Sequence, residues 1–502
     1  MELLANLALG FQTALSLANV AYCFVGVLLG TLIGVLPGIG PVPTIAMLLP
    51  ITYTLPPVSA LIMLAGIFYG AQYGGSTTSI LVNLPGEASS VVTCLDGYQM
   101  ARQGRAGVAL AIAAIGSFFA GTVSTVVLAA AGPLLGRLAI TFGPAEYFSL
   151  MVLGLAGAVV LAHGSLLKAV AMTVLGLLLG LVGTDVNSGA QRYTFGVPEL
   201  GDGIGFVIIA MGLFGFAEII TNLIGGGVTR DVTTARIGGL WPSRRDLREA
   251  APAVLRGTVL GSVLGVLPGG GAMLSSFASY ALEKKIAKDP SRFGRGAIEG
   301  VAGPESANNA GAQTSFIPML TLGIPGNSVM ALMVGALMIH NIQPGPQVMT
   351  GNPALFWGLV ASMWIGNLML VILNLPLIGM WVKLLTLPYR FMYPAILLFC
   401  AIGTYSLGNN TFDVFLAAGF GLVGWVLHEL ECPPAPLLLG SILGPMMEEN
   451  LRRALLISAG DATVLVTRPI SAGLLATAAV LVVLIAVPAL RTKRQEAFQE
   501  ES

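Results

Sequence analysis

GTLIGVLPGIGPVPTIAMLLP, residues 30–50, returns near the middle of the chain as GSVLGVLPGGGAMLSSFASYA, residues 261–281. Gly30, Gly34, Val35, Leu36, Pro37, Gly38 and Gly40 align without gaps on Gly261, Gly265, Val266, Leu267, Pro268, Gly269 and Gly271. Each copy reads as an apolar helix face of small residues, a Pro-Gly-x-Gly breaker and a second apolar stretch. In a hydrophobic chain this is the pattern of an interrupted helix. The two interruptions are expected to line one central site for an anion.

The setting is a membrane. Of 502 residues, 55% are hydrophobic and only 10% charged, with a mean hydropathy of +0.85. A soluble domain carries roughly 25% charged residues, so this chain cannot cover a water-facing surface and reads as a polytopic membrane protein. Sixty-five glycines among the apolar runs fit closely packed and broken membrane helices. A net charge of zero gives no reason to expect a nucleic-acid partner. Cys23, Cys94, Cys400 and Cys432 are scattered and read as packing residues. The opening MELLANLALGFQTALSLAN lacks a basic n-region and is expected to belong to the mature chain.

In order, helices are expected over 15–36, 57–72, 107–131, 144–163, 166–183 and 203–224, with a short apolar segment at 41–54. GAQYGGSTTSILVNLPGEASS, residues 70–90, is rich in Gly, Ser, Thr and Asn and holds a second Pro-Gly. It is expected to be non-helical, which a membrane tolerates only in buried or cavity-lining backbone. Residues 95–106 are expected to form a basic loop. Residues 225–250, with Arg230, Arg236, Arg244, Arg245 and Arg248, form the midpoint and are cytoplasmic by the positive-inside rule.

The duplication extends beyond the opening motif. Pro85-Gly86 falls opposite Pro325-Gly326, Ile115-Gly116 opposite Ile365-Gly366, and Pro144-Ala145 opposite Pro394-Ala395. The LLLG at 177–180 matches LLLG at 437–440, placing Arg192 opposite Arg452. Basic residues flank 252–283 on both sides, so this element enters and leaves on one face. Its arms, roughly 24 and 18 Å at about 1.5 Å per residue, are shorter than the ~30 Å membrane core. A re-entrant hairpin with its tip at 268–271 is expected. The first copy lacks flanking basic residues and can open the other way. Lys383 and Arg390 mark 381–392 as cytoplasmic, as Arg491, Lys493 and Arg494 mark the C-terminus, against a single Arg137 in 132–143. The expectation is therefore an all-α polytopic membrane protein of two inverted-topology repeats with re-entrant hairpins and broken helices. The first repeat spans 1–230, a cytoplasmic loop 231–250, the second repeat 251–490 and a cytoplasmic tail 491–502.

The paired glycine motifs, the LLPIT that follows the first copy and the stretch SANNAGAQTSFIPMLTLGIPG together resemble the large membrane subunit of the tripartite tricarboxylate transporters, the TctA family. The resemblance runs over essentially the whole chain. It implies secondary transport of citrate or related carboxylates across the bacterial inner membrane. It also implies a soluble periplasmic binding protein (TctC-like), a small membrane subunit (TctB-like) and drive from a sodium or proton gradient. In that family the binding protein normally chooses the substrate.

Helix N-termini after Gly40 and Gly271 would each present N–H groups and roughly +0.5 charge. Neither motif holds Lys, Arg or His, so two such ends leave a di- or tricarboxylate undercompensated. Importing each uncompensated charge against 100 mV costs about 2.3 kcal/mol. No Walker motif is present, so coupling to Na⁺ or H⁺ is expected, with no other cofactor and no enzymatic chemistry. The expected substrate contacts are Pro37, Gly38, Gly40, Pro268, Gly269, Gly270, Gly271, Asn83, Pro85, Gly86, Asn308, Asn309, Pro325 and Gly326. The expected cation contacts are Ser76, Thr77, Thr78, Thr314 and Ser315, each with the alternative of a hydroxyl bonded back to its own helix. Glu87 and Glu305 are either site carboxylates or interfacial residues. Arg192 and Arg452 are either snorkelling anchors or contacts for an anion or partner. His163, His340 and His428 lack metal spacing and read as structural. An elevator-like movement of 15–90 and 252–343 against the remaining helices is expected by analogy. The rivals are an ion or small-solute channel and a non-transporting scaffold for a periplasmic receptor.

Overall fold

The computed structural model describes residues 2–36, 40–139, 141–162, 165–185, 187–224, 239–267, 271–385 and 393–486. The helices of the first part are α1 (Glu2–Ala14), α2 (Leu17–Val35), α3 (Pro41–Thr52), α4 (Pro57–Val82), α5 (Val91–Met100), α6 (Ala106–Ala139), α7 (Pro144–Leu161), α8 (Leu166–Gly180), α9 (Phe206–Ala210) and α10 (Ala217–Ile224). The middle of the chain forms α11 (Arg244–Leu264), α12 (Gly271–Ile286), α13 (Glu299–Thr314), α14 (Phe316–Leu322), α15 (Ser328–Ile339), α16 (Pro346–Gly351) and α17 (Pro353–Asn374). The last part forms α18 (Ile378–Leu385), α19 (Tyr393–Gly408), α20 (Thr411–Glu429), α21 (Pro434–Ile457), α22 (Val464–Thr467) and α23 (Pro469–Ala486). Among the described residues, strand structure is limited to β1 (Gly183–Thr184) and β2 (Gln191–Arg192), which pair antiparallel. Among the described residues, five helical stretches are long and apolar enough to cross a membrane: Leu17–Val35, Pro57–Val82, Ala88–Gly136, Pro353–Asn374 and Thr411–Glu429.

One packing motif occurs twice. A Cβ on Gly26, Gly30 or Gly34 of α2 would come within 2.2–2.4 Å of the carbonyl oxygens of Met63, Ile67 and Ala71 on α4. On α11, Gly257, Gly261 and Gly265 meet Gly303, Ala307 and Gly311 of α13 at 2.3–2.4 Å in the same way. Only glycine permits such backbone contact. Both series advance together, so α2 runs parallel to α4, and α11 to α13. The chain between them must therefore turn back. Ser59 at the start of α4 donates to Asn19 at the start of α2, 2.6 Å, so α3 has returned the chain to its entry side. The second hairpin is clasped by Arg256 of α11 and Glu283 of α12, at 2.8 and 2.6 Å.

The long helices α6 and α17 exchange partners. Gly116 of α6 packs on Ser306 and Val254, and Ser124 meets Ser262 at 2.9 Å, which places α6 parallel to α11 and against α13. Gly366 of α17 packs on Cys23, Val27 and Tyr69, and Gly358 on Val58, so α17 runs parallel to α2 and α4. Between themselves, α6 and α17 run antiparallel. Asn367 donates to the Phe118 carbonyl at 2.9 Å, and Gly132 faces Phe356. Farther along, α8 and α21 lie side by side and parallel, with Gly176 against Leu437 and Gly180 against Ser441.

Two expectations are corrected. The stretch 70–82 is helical: α4 continues to Val82 and only then stops, at Asn83 with φ 56°. Gly70 and Gly74 serve close packing against α2, and Ser76, Thr77 and Thr78 bond to carbonyls four residues back. Residues 95–106 are likewise mostly helical: α5 runs to Met100, and a kink at left-handed Gly104 (φ 78°) within Ala101–Arg105 leads into α6. The polar helix α13 is buried from Gly300 through Thr314. The connecting loop's Arg230 and Arg236, the side chain of Arg137, Arg390, His163 and the tail from residue 487 lie outside the described residues.

Candidate functional site

A cavity of about 900 Å³ separates the hairpin body from α7, α10, α20 and α21. Gly40 and Gly271 both line it, so the two motif copies open onto one space. Both have left-handed backbone, φ 60° and 48°, and each sits at the start of a helix, α3 or α12. A third helix start also faces the cavity. Asn327 and Ser328 line it, and the Asn327 side chain accepts from the Met330 N–H at 2.9 Å to cap α15. Three helix N-termini at roughly +0.5 charge each present their N–H groups to the cavity, which His428 also lines. No lysine or arginine lines it among the described residues, whereas Glu87, Glu218 and Glu431 do.

The other expected contacts divide. Pro85 and Gly86 line the cavity, and a Cβ on Gly86 would come within 2.0 Å of the Gly34 carbonyl. Pro325 and Gly326 are buried just before Asn327 and are not in the wall. Asn83 forms the left-handed cap of α4, and its counterpart Gly323 (φ 74°) that of α14. Asn309 donates to Ser117 at 2.7 Å, inside the protein. Pro37, Gly38, Pro268, Gly269 and Gly270 lie outside the described residues.

Among the expected cation contacts, Thr77, Thr78, Thr314 and Ser315 donate to backbone carbonyls. Ser76 differs: it also donates to Glu305 Oε2 at 2.5 Å. Glu305 is fully buried, and Thr93 donates to its other oxygen. Glu87 accepts from Ser89, and from Asn308 Nδ2 at 3.4 Å. Among the described residues no cationic side chain pairs with either glutamate.

Arg192 and Arg452 meet in one cluster with Asp185 and Glu448. Arg452 Nη2 bonds Asp185 at 2.8 Å and Glu448 at 2.6 Å, and Arg192 bonds Glu448 at 2.8 Å. Two guanidiniums facing two carboxylates are mutually compensated, and the cluster ties the β1–β2 segment to α21. Arg452 and the Asn187 N–H hold the Asp185 carboxyl well below the usual carboxylate range. Sequence reasoning missed Asp185 and Glu448 because neither falls in a motif that the two halves share. It missed Asn327 for a similar reason, since Asn327 falls opposite Glu87 and the identity changes.

Buried helices around a broad cavity, with membrane-length spans, define a multi-pass helical membrane protein built to hold a solute. The chain belongs to the Tripartite tricarboxylate transporter TctA family, whose model matches residues 20–439. It is 62% identical over 501 residues, the full length of both chains, to an uncharacterised 52.8 kDa protein of the TAR-I ttuC' 3'region of Agrobacterium vitis. It is 63% identical over 241 residues to an uncharacterised protein of the TAR-II ttuC' 3'region of the same organism, covering 48% of this chain and all of that one. No solved structure matches the chain.

Proposed function

We propose that this chain is the large permease subunit of a binding-protein-dependent, ion-coupled secondary transporter that imports tricarboxylates or related carboxylates across the bacterial inner membrane. The observation that carries the reading is the single cavity onto which Gly40 and Gly271 both open. Its wall offers helix N-termini to a carboxylate, and these supply only about 1.5 positive charges. Coupled cations make up the difference for a citrate-like anion and drive its entry against the membrane potential. A TctB-like membrane subunit and a TctC-like periplasmic protein complete the assembly on family grounds.

Helix directions support inverted halves. Helices α2, α4 and α17 run one way, and α6, α11 and α13 the other, because α6 and α17 are antiparallel while each is parallel to its hairpin group. The cavity lies between the hairpin body and α7, α10, α20 and α21, where an elevator-like displacement would expose it to alternate sides. Helices α6 and α17 pack with the hairpin body and would move with it.

Reconstitution with both partners tests the function. Saturable uptake of labelled carboxylates that follows an imposed Na⁺ or H⁺ gradient, with counterflow, is the expected result. Continuous conductance without coupling would support a channel instead, and absence of carboxylate binding or uptake would leave only a scaffold.

A further inference from the structure

We infer that Glu87, Glu305 and Asn308 form a binding site for one sodium ion, on the inner side of the cavity wall. This deepens the transport reading by placing its coupling ion. Glu305 and Asn308 stand three residues apart on α13 and so share a face. The Asn308 amide reaches Glu87 at 3.4 Å across the interface with the segment that follows α4. The residue that bonds the Glu87 carboxylate therefore stands one turn from Glu305 on the same helix. Glu305 and Asn308 are wholly enclosed, and Glu87 is 9% exposed on its cavity side.

A second observation points to a missing cation. Asn308 Oδ1 is buried and has no hydrogen-bond donor among the described residues. Buried polar atoms rarely go unpaired, and this oxygen belongs to the amide that bonds Glu87 one turn from Glu305, with no lysine, arginine or histidine paired to either glutamate among the described residues. Ser76, Thr93 and Ser89 spend their hydroxyl protons on these carboxylates and keep their lone pairs. Apart from the Asn308 Nδ2 that bonds Glu87, the polar atoms named here are hard oxygens, the donor set of an alkali cation in a broken-helix transporter. Glu87 connects the enclosure to the cavity, which gives the ion an entry path.

The test is equilibrium binding of ²²Na⁺ to the purified full chain in detergent, at constant ionic strength in choline, without carboxylate or partners. Saturable binding is expected, weakened at least about tenfold, or 1.4 kcal/mol, in Glu305→Gln, Glu87→Gln and Asn308→Ala. Glu449→Gln, on an exposed pair with Arg453, should bind as the parent does. Asn308→Ala removes the orphan oxygen without changing charge, so it remains informative if a glutamate variant fails to fold. Undiminished affinity in the folded variants overturns the inference. So does absence of ²²Na⁺ binding to the parent chain, even if an acid gradient drives uptake, because the pair is then a proton site. Retained ²²Na⁺ binding without any carboxylate uptake supports the site while removing the transport reading.

Discussion

Asn327 stands directly against Gly271: a Cβ on Gly271 would come within 2.9 Å of Asn327 Nδ2. Two helix starts from different segments, α12 and α15, therefore converge on one patch of the cavity wall, and the glycine makes the convergence possible. Gly40 occupies the matching place in the first copy with nothing within 4 Å of its would-be Cβ. The two tips share a left-handed backbone but differ in what surrounds them.

That difference separates two variants. At φ 60° and ψ 176°, Gly40 holds a backbone region almost exclusive to glycine, so any side chain there costs about 1–3 kcal/mol of strain. Gly40→Asn carries that strain with open space around its side chain and should keep part of the carboxylate uptake in reconstituted membranes. Gly271→Asn meets the Asn327 amide and should lose uptake at least about tenfold, with normal membrane insertion. Equal uptake by the two variants would refute the assigned role of the Asn327 contact.

The glycine ridges give a prediction about stability. Gly30 on Ile67 and Gly261 on Ala307 are the same contact in two halves, each at 2.3 Å for a built Cβ. Gly30→Val and Gly261→Val should each destabilise by about 1–3 kcal/mol through forced separation of the paired helices. Thermal melting in detergent measures it. Gly473→Val, on a glycine with open space around it, is the control and should melt within error of the parent.

Much of this was legible from particular residues. The basic residues flanking 252–283 and the repeated VLPGxG disclosed the second hairpin, because membrane charge asymmetry and backbone breaks leave direct marks in sequence. The helical course of 70–82 did not, because a glycine reads alike as breaker or packing face until its partner helix is known. Hydropathy could not reveal α13, a helix rich in Asn, Gly and Gln yet wholly enclosed, since its burial depends on α6, α11 and α12 closing around it. Helices α8 and α21 run parallel, which equivalents in opposed halves would not do. Helix order and packing pair α8 with α20 instead, since α8 lies on α21 as α20 lies on the α9–α10 segment.

The Arg452–Asp185 contact predicts a pH dependence. Asp185 is held below its ordinary value by Arg452 and the Asn187 N–H, so the folded state favours the ionised carboxylate. Stabilisation from this group is complete above the ordinary aspartate value of about 3.9 and fades as pH falls through the lower folded value. The melting temperature of the parent should therefore exceed that of Asp185→Asn at pH 7. The gap should close as pH drops below about 4. A gap unchanged down to pH 3 would show that the carboxylate's charge is immaterial.

The clasp between Arg256 and Glu283 supplies the last prediction. Glu283 is buried on α12, and both its oxygens bond to the Arg256 guanidinium, whose outer edge is partly exposed. Arg256→Ala leaves a buried carboxylate with no cation facing it. The cost should lie toward the low end of the roughly 3–5 kcal/mol typical of such deletions, because water reaches the vacated place. Replacing both partners, Arg256→Met with Glu283→Leu, removes the stranded charge and should recover most of the melting temperature. If the double variant melts no higher than Arg256→Ala, the arms are held by something other than charge compensation. The first hairpin offers an internal contrast: Val25 and Thr52 occupy the matching positions, so its arms close without an ion pair.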